Sequence, residues 1–388
     1  MAPFNQEEQD AIVSNILREL LETPYACSSL VRLTNGTTNF VYRGELVHPI
    51  RADSEDSNTK ETVIIKHSTD FAAVNKDFSL DASRAFYEES MLHALANFPS
   101  STTAVKAPRL YLFIRDANIQ VLEDFPATVD LKNILLSPTA NTIFTASTAA
   151  SIGYNVGSWL RSFHAWASSP NTELKAIGDN EPMRKLKYAI TYDSYLKVLE
   201  DNFPQLLEGH REILEEVQTT ATREFQRTSG NGDWDEHWGF IHGDFWTGNV
   251  LLPSDPSLST QNSGDAKLFI VDWEFVQFGH RAYDIGQMVG DMYERKHFFK
   301  TDGVLPAIEG FIHGYGGLDD ELAFRTAIHA GVQLICWYTR RAPTAPLQFP
   351  IEKVTDAMRI GRDWIVKGWQ MDRDYFRNSP LAPLFKRR

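Results

Sequence analysis

One stretch limits what this chain can fold into more than any other: residues 240–252, Phe-Ile-His-Gly-Asp-Phe-Trp-Thr-Gly-Asn-Val-Leu-Leu. Two apolar runs enclose a polar centre. The left run reads as the end of one strand and the right run as the start of the next. The centre holds a carboxylate, Asp244, and a carboxamide, Asn249, with four residues between them. Residues 268–275, Leu-Phe-Ile-Val-Asp-Trp-Glu-Phe, then form an apolar strand running into Asp272 and Glu274. Phosphoryl transfer from ATP needs such a set. One Asp orients and deprotonates the attacking hydroxyl, while an Asn and a second Asp hold magnesium on the phosphates. Asp and Asn are also common turn residues, so the first match alone carries little. A strand ending in Asp272 at hairpin distance gives it weight.

The rest of the composition narrows the partners. The 388 residues are 43% hydrophobic, enough for a large core, and a chain of this length ordinarily divides into two or three domains. A net charge of −13 disfavours nucleic acid and anionic membranes as partners. The two cysteines, Cys27 and Cys336, give no disulfide framework and fit a reducing compartment. No apolar run approaches spanning length and the polar N-terminus is not a signal peptide, so the expected location is cytoplasmic.

In chain order, an amphipathic helix is expected over residues 6–22. Two strands around a polar turn at 35–39 follow, and then a short β-branched strand, 62–66, ending in Lys66. Residues 79–95 read as a helix, capped by Ser79 or Asp81, with Phe86, Met91, Leu92 and Leu95 on its buried face. A hairpin is expected over 111–122. Glu-Asp-Phe-Pro at 123–126 breaks the pattern and marks a hinge, after which the composition turns helical. The ordering implies an α+β chain with a sheet-rich N-terminal lobe, 1–125, and a mainly helical C-terminal lobe, 126–388, meeting at a cleft.

His-Gly-Asp-x4-Asn at 242–249, Ile-Val-Asp-Trp-Glu at 270–274 and Tyr-Asp-Ile-Gly at 283–286 resemble the aminoglycoside phosphotransferase and choline kinase superfamily. Within it the chain is similar to methylthioribose-kinase-like enzymes, a group that includes the fungal 4-hydroxytryptamine kinases. The resemblance runs over residues 32–338. It implies a bilobal protein-kinase-like fold and transfer of phosphate from ATP to a hydroxyl of a small molecule, with Mg2+ as metal. By this resemblance Asp244 is the base, and Asn249 and Asp272 are metal ligands with Glu274 as a further candidate. Lys66 would pair with the nucleotide phosphates and be held by Glu88, with Glu89 as the alternative. Gly36, Thr37, Thr38 and Asn39 would cover the phosphates, although a single glycine there departs from the protein-kinase pattern. Backbone groups of Glu123 and Phe125 would meet the adenine. His242 and Asp284 would stabilise the loop.

The acceptor is less defined. Trp246 and Trp337 are candidates to face it, each equally readable as core. Arg340 and Arg341 read first as helix-terminal charges. Asp233, Asp235, Glu236, Asp291 and Glu294 lie near the catalytic residues in sequence and suggest an acidic site drawing a cationic, amine-bearing alcohol. The alternatives are a methylthioribose-like sugar acceptor, or a nucleotide-binding module without turnover. Gly243 replaces the protein-kinase arginine, and the span from Asp272 to Asp284 is too short for an activation loop, so no protein substrate is expected.

Overall fold

The computed structural model describes residues 4–34, 36–51, 59–100, 102, 104–168, 174, 177–231, 234–256, 267–340 and 345–386. Asn35, Asp233 and Arg341 lie outside the described residues. The chain divides into two compact units, residues 1–96 with 108–126, and residues 97–107 with 127–388.

The first unit is built on an antiparallel five-stranded sheet, in the order Cys27–Leu33, Phe40–Arg51, Thr59–His67, Ile119–Glu123, Leu110–Ile114. Alternation along the strands sends Phe40, Tyr42, Val63, Ile65, Ile119 and Val121 into the core, where Ile16 and Leu20 of the helix Gln6–Leu20 join them. That helix begins with a capping box: Asn5 Oδ1 accepts the Glu8 N–H while Glu8 Oε2 accepts the Asn5 N–H, both at 2.9 Å. The expected 111–122 hairpin turns through Asn118, whose left-handed backbone suits an asparagine.

The second helix differs from expectation. It spans Arg84–Leu95, and its N-cap, Ser83, makes no side-chain capping bond. Asp81 bonds the Ser83 N–H instead, folding residues 81–83 into a turn before the helix can start. Phe86 lies on the exposed side and packs on Phe113, 5.2 Å between ring centroids.

The second unit is mostly helical, with two small sheets that carry the polar loops. A four-stranded sheet runs Val105–Lys106, Leu268–Ile270, Val250–Pro253, Thr128–Asp130, and a two-stranded sheet pairs Trp238–Ile241 with Gln277–His280. Helices Ala146–Ala167 and Val304–Tyr315 meet along four glycines. A Cβ on Gly153 or Gly157 would lie 2.2 Å from Ala307 O or 2.0 Å from Phe311 O. One on Gly310 or Gly314 would lie 2.1 Å from Ala150 O or 2.0 Å from Tyr154 O. Only hydrogen fits there, so the two backbones touch. No helix among the described residues is long and apolar enough to cross a membrane.

Candidate active site

Lys66 lies near the end of the strand Thr59–His67 with its ammonium buried. Glu88, one side of the helix Arg84–Leu95, grips it with both oxygens, at 2.9 and 2.7 Å. Glu89, one residue on and so rotated about the helix, pairs instead with Arg115 at 2.9 Å. The geometry therefore selects Glu88. Two buried charges coexist here because each satisfies the other.

The turn before the strand Phe40–Arg51 is tied to the following hairpin. The N–H groups of Ala73 and Val74 donate to the carbonyls of Thr38 and Thr37 at 3.1 and 3.3 Å. Asn39 is turned inward and buried, its Oδ1 accepting from Ser68 Oγ (2.9 Å) and Arg84 Nη2 (2.8 Å). Its carboxamide braces the turn rather than facing outward as a phosphate donor. At residues 123–125 the acidic side chains are likewise engaged. Glu123 pairs with Lys60, and Asp124 receives Arg43 Nε (2.7 Å), Arg43 Nη2 (3.0 Å) and Thr62 Oγ1 (2.7 Å). Phe125 is buried.

In the second unit the loop after Trp238–Ile241 is held from beneath by Asp284, on the helix Ala282–Phe299. Asp284 Oδ2 accepts the His242 N–H at 2.8 Å and Oδ1 accepts the Gly243 N–H at 2.9 Å. His164 Nε2 lies 3.0 Å from Oδ2, with Tyr315 OH 2.9 Å from its Nδ1. Burial opposes the Asp284 charge, but the hydrogen bonds it makes with His164 and with the His242 N–H hold the carboxyl below its ordinary range. Burial pushes His164 and His242 down, so both stay neutral. His242 uses its ring within the site. Nδ1 accepts the Asp244 N–H at 3.3 Å, which leaves the proton on Nε2 to donate to Val271 O at 3.1 Å. Gly243 has φ +80°, and a Cβ there would lie 2.1 Å from Phe275 O. The protein-kinase arginine has no room at this position.

Asp244 emerges half-buried from this loop. Gln287 Nε2 donates to its Oδ1 at 2.6 Å, and Lys187 Nζ lies 3.7 Å from the same oxygen. Asn249 Nδ2 donates to the Asp244 carbonyl at 2.9 Å and lies 3.3 Å from Oδ2. Strand pairing places Asn249 next to Asp272: Val250 is opposite Ile270, and the Val271 N–H donates to Asn249 O at 3.0 Å. Asp272 sits in the left-handed region, φ 69° and ψ 67°, an unusual conformation for a non-glycine residue and one that recurs at functional sites. Glu274 is buried. Asn180 Nδ2 secures this turn by donating to the carbonyls of Glu274 (2.8 Å) and Val276 (3.0 Å).

The acceptor-side expectations fare differently. Trp246 lies over Gly248, with Lys132 Nζ 5.2 Å from its ring. Trp337 stacks on Phe298 at 4.3 Å, and Phe298 on Phe349 at 4.6 Å, so packing accounts for it. Three of the acids expected to line an acidic site are engaged in other contacts. Asp291 accepts from Thr247 and Arg295, and Glu294 lies 2.6 Å from Arg295 and 3.2 Å from Arg340. Two arginines neutralise these two acids, and Asp291 fastens the loop that carries Asp244 through Thr247. Asp235 accepts the N–H groups of His237 (2.7 Å) and Trp238 (3.0 Å), a turn-forming role. Sequence reasoning missed Lys187, Gln287, Asn180 and His164. Each reaches the loop from a distant helix or turn, with no local pattern to announce it.

A family model described as a phosphotransferase enzyme family matches residues 57–325. The phosphotransferase FrzJ of Cladobotryum sp is 31% identical over 398 residues, covering 98% of each chain. A 4-hydroxytryptamine kinase of Psilocybe cyanescens is 23% identical over 301 residues, 75% of this chain and 74% of that one. Among solved structures, the amicoumacin kinase hAmiN superposes with a TM-score of 0.52 at 11% identity, covering 94% of this chain and 96% of that one. A Plasmodium vivax ethanolamine kinase superposes with a TM-score of 0.50 at 14% identity, covering 94% and 90%. At these identities the structural likeness speaks to the fold alone.

Proposed function

Because this chain belongs to the phosphotransferase enzyme family, we propose that it transfers the γ-phosphoryl group of ATP to a hydroxyl of a small molecule, with Asp244 as general base. One observation carries the assignment of roles. The loop bearing Asp244 and Asn249 is fixed through its backbone by a buried carboxylate, Asp284, so both side chains are presented without reorganisation.

Asp244 takes the proton of the acceptor hydroxyl as its oxygen bonds to the γ-phosphorus. The bond from that phosphorus to the β-phosphate oxygen breaks, and ADP leaves. Lys66, fixed by Glu88, offers its charge to the nucleotide phosphates. Gly36, Thr37 and Thr38 contribute at the turn, and the backbone of residues 123–125 is left to meet the adenine.

The donor set suits magnesium. Asn249 spends its Nδ2 on Asp244, which leaves Oδ1 as a ligand atom, and Asp272 adds a carboxylate. Two oxygen ligands supplemented by phosphate and water are what Mg2+ commonly takes from a kinase. Held there, it would neutralise charge on the phosphates. Glu274, buried behind Asp272, is the further candidate, acting through a water.

For the acceptor we favour an amine-bearing alcohol. Likeness to a 4-hydroxytryptamine kinase supports this reading, and Trp246 on the catalytic loop offers an aromatic face. Net charge −13 and two free cysteines agree with a cytoplasmic enzyme that binds neither nucleic acid nor membrane. The test is ADP release from Mg-ATP with 4-hydroxytryptamine, ethanolamine, choline, methylthioribose and matched alcohols lacking the amine. Preferential use of the amines supports the reading. Preferential use of methylthioribose points to a sugar kinase, and no ADP release with any acceptor to a binding module.

A further inference from the structure

Lys187 lies on the helix Glu181–Ile190 and is buried, an uncommon place for a lysine. Its Nζ donates to Gln287 Oε1 at 2.6 Å, and Gln287 Nε2 donates to Asp244 Oδ1 at 2.6 Å. Among the described residues, Asp244 is the carboxylate within ion-pair distance of Lys187, at 3.7 Å.

We propose that Lys187 and Gln287 are positioning residues for Asp244, fixing which of its two oxygens receives the acceptor's proton. The proposal rests on the reading of Asp244 as the base. A carboxamide can be rotated end for end at little steric cost, so its direction must be set by its neighbours. An ammonium group has donors and no acceptor, and an ionised carboxylate has acceptors and no donor. Placed between them, Gln287 fits one way only, oxygen to Lys187 and nitrogen to Asp244. The reverse would set two donors against each other at one end and two acceptors at the other. Gln287 thereby commits Asp244 Oδ1 to a hydrogen bond. Among the described residues, Oδ2 keeps only the long contact from Asn249 Nδ2, whose shorter bond goes to the Asp244 carbonyl. Oδ2 is therefore the oxygen left to act.

Burial holds the Lys187 pKa below the ordinary lysine value, and the neighbouring carboxylates limit that fall. Burial works against the ammonium, and Arg340 adds to that. Asp244 and Asp284 pull the other way, while burial keeps Cys336 and His329, on the helix Asp320–Cys336, neutral. Apolar packing alone would be served by a leucine or methionine without this cost. A lysine here makes sense if its charge has work to do.

The experiment follows the Gln287 side-chain amide in the full-length protein labelled with 15N-glutamine, its signal assigned by loss in Gln287→Glu. In the wild type one amide proton is expected well downfield, bonded to a carboxylate. In Lys187→Met that proton should move toward the position of a free amide, and Lys187→Arg should restore it in part. ADP release from Mg-ATP with water as acceptor should fall about tenfold or more in Lys187→Met, with KM for ATP little changed. Lys187→Gln serves if Lys187→Met fails to fold. An unmoved Gln287 amide, or a rate that stays at the wild-type level, overturns the proposal. Asp244→Asn separates the two layers. If it hydrolyses ATP as fast as wild type, the base assignment falls, and the amide signal still decides whether Lys187 sets the direction of Gln287.

Discussion

Asp284 Oδ1 accepts the backbone N–H of Gly243 at 2.9 Å, across 41 residues of sequence, while its other oxygen accepts the neighbouring N–H of His242. One buried side chain therefore fixes two consecutive backbone N–H groups of the loop that carries Asp244. Asp284→Asn keeps the size but replaces one acceptor by a donor, leaving a backbone N–H facing an NH2. Hydrogen bonds to charged groups are worth about 1.5–3 kcal/mol, so a stability loss of that order is expected in denaturant melts. Turnover should fall about tenfold or more, because Asp244 is displaced with the loop. Wild-type turnover in this variant would show that the loop holds itself.

Asp244 and Asp272 should separate kinetically. Asp244→Asn is expected to bind Mg-ATP nearly as wild type and to lose about a hundredfold or more in turnover, the scale of general-base catalysis. Asp272→Ala should raise the magnesium concentration needed for half-maximal activity and weaken nucleotide binding. A magnesium titration unchanged in Asp272→Ala moves the metal to Glu274.

Four histidines make the fold acid-sensitive. Burial holds His164, His242, His280 and His329 below the ordinary value of 6.5. The folded chain refuses a proton that the unfolded chain accepts. The stability this represents is complete above pH 6.5 and is lost as the pH falls toward the folded values, by up to ~1.4 kcal/mol per histidine for each pH unit. His329 bonds Tyr192 OH through Nδ1 (3.0 Å) and lies 3.3 Å from Gln333 Nε2 through Nε2, so it can accept at the second nitrogen only while neutral. His329→Gln should lose less stability than wild type between about pH 7 and about pH 5.5 in urea melts. Equal losses would remove His329 from the set.

The glycine seam between Ala146–Ala167 and Val304–Tyr315 gives a stability test without any titration. Gly157→Ala places a methyl 2.0 Å from Phe311 O, a backbone atom that cannot swing aside. The helices must separate, at a cost of about 1–3 kcal/mol for overpacking or more. Gly317→Ala, where a Cβ meets nothing within 4 Å, is the matched control. Similar melting temperatures for the two variants would mean that the seam yields.

The candidate site could be proposed from the sequence because phosphoryl transfer constrains spacing. Asn249 and Asp272 flank one hairpin, Asp244 lies five residues before Asn249, and Lys66 lies near the end of a β-branched strand, so short-range pattern picks them out. Lys187 and Gln287 meet Asp244 only because separate helices pack together, and no sequence window holds both. Charge misled where it was counted without partners. Asp291 and Glu294 read as an acidic lining until Arg295 and Arg340 are seen against them. The Asp291–Arg295 spacing of four residues on a helix was a readable warning. Trp337 is a similar case, since an aromatic residue near a helix end serves packing as readily as binding.

The adjacent glutamates of the helix Arg84–Leu95 have a consequence for control. Glu88 and Glu89 point in different directions around the helix and are claimed by different cations, Lys66 and Arg115. Ala85 O adds a third tether, to Gln120 Nε2 at 3.1 Å. The helix cannot roll about its axis without breaking both ion pairs, and leaving one partner of a buried pair uncompensated costs about 3–5 kcal/mol. Any swing of this helix therefore has to break both pairs. Lys66 is thus held in one place by the fold itself.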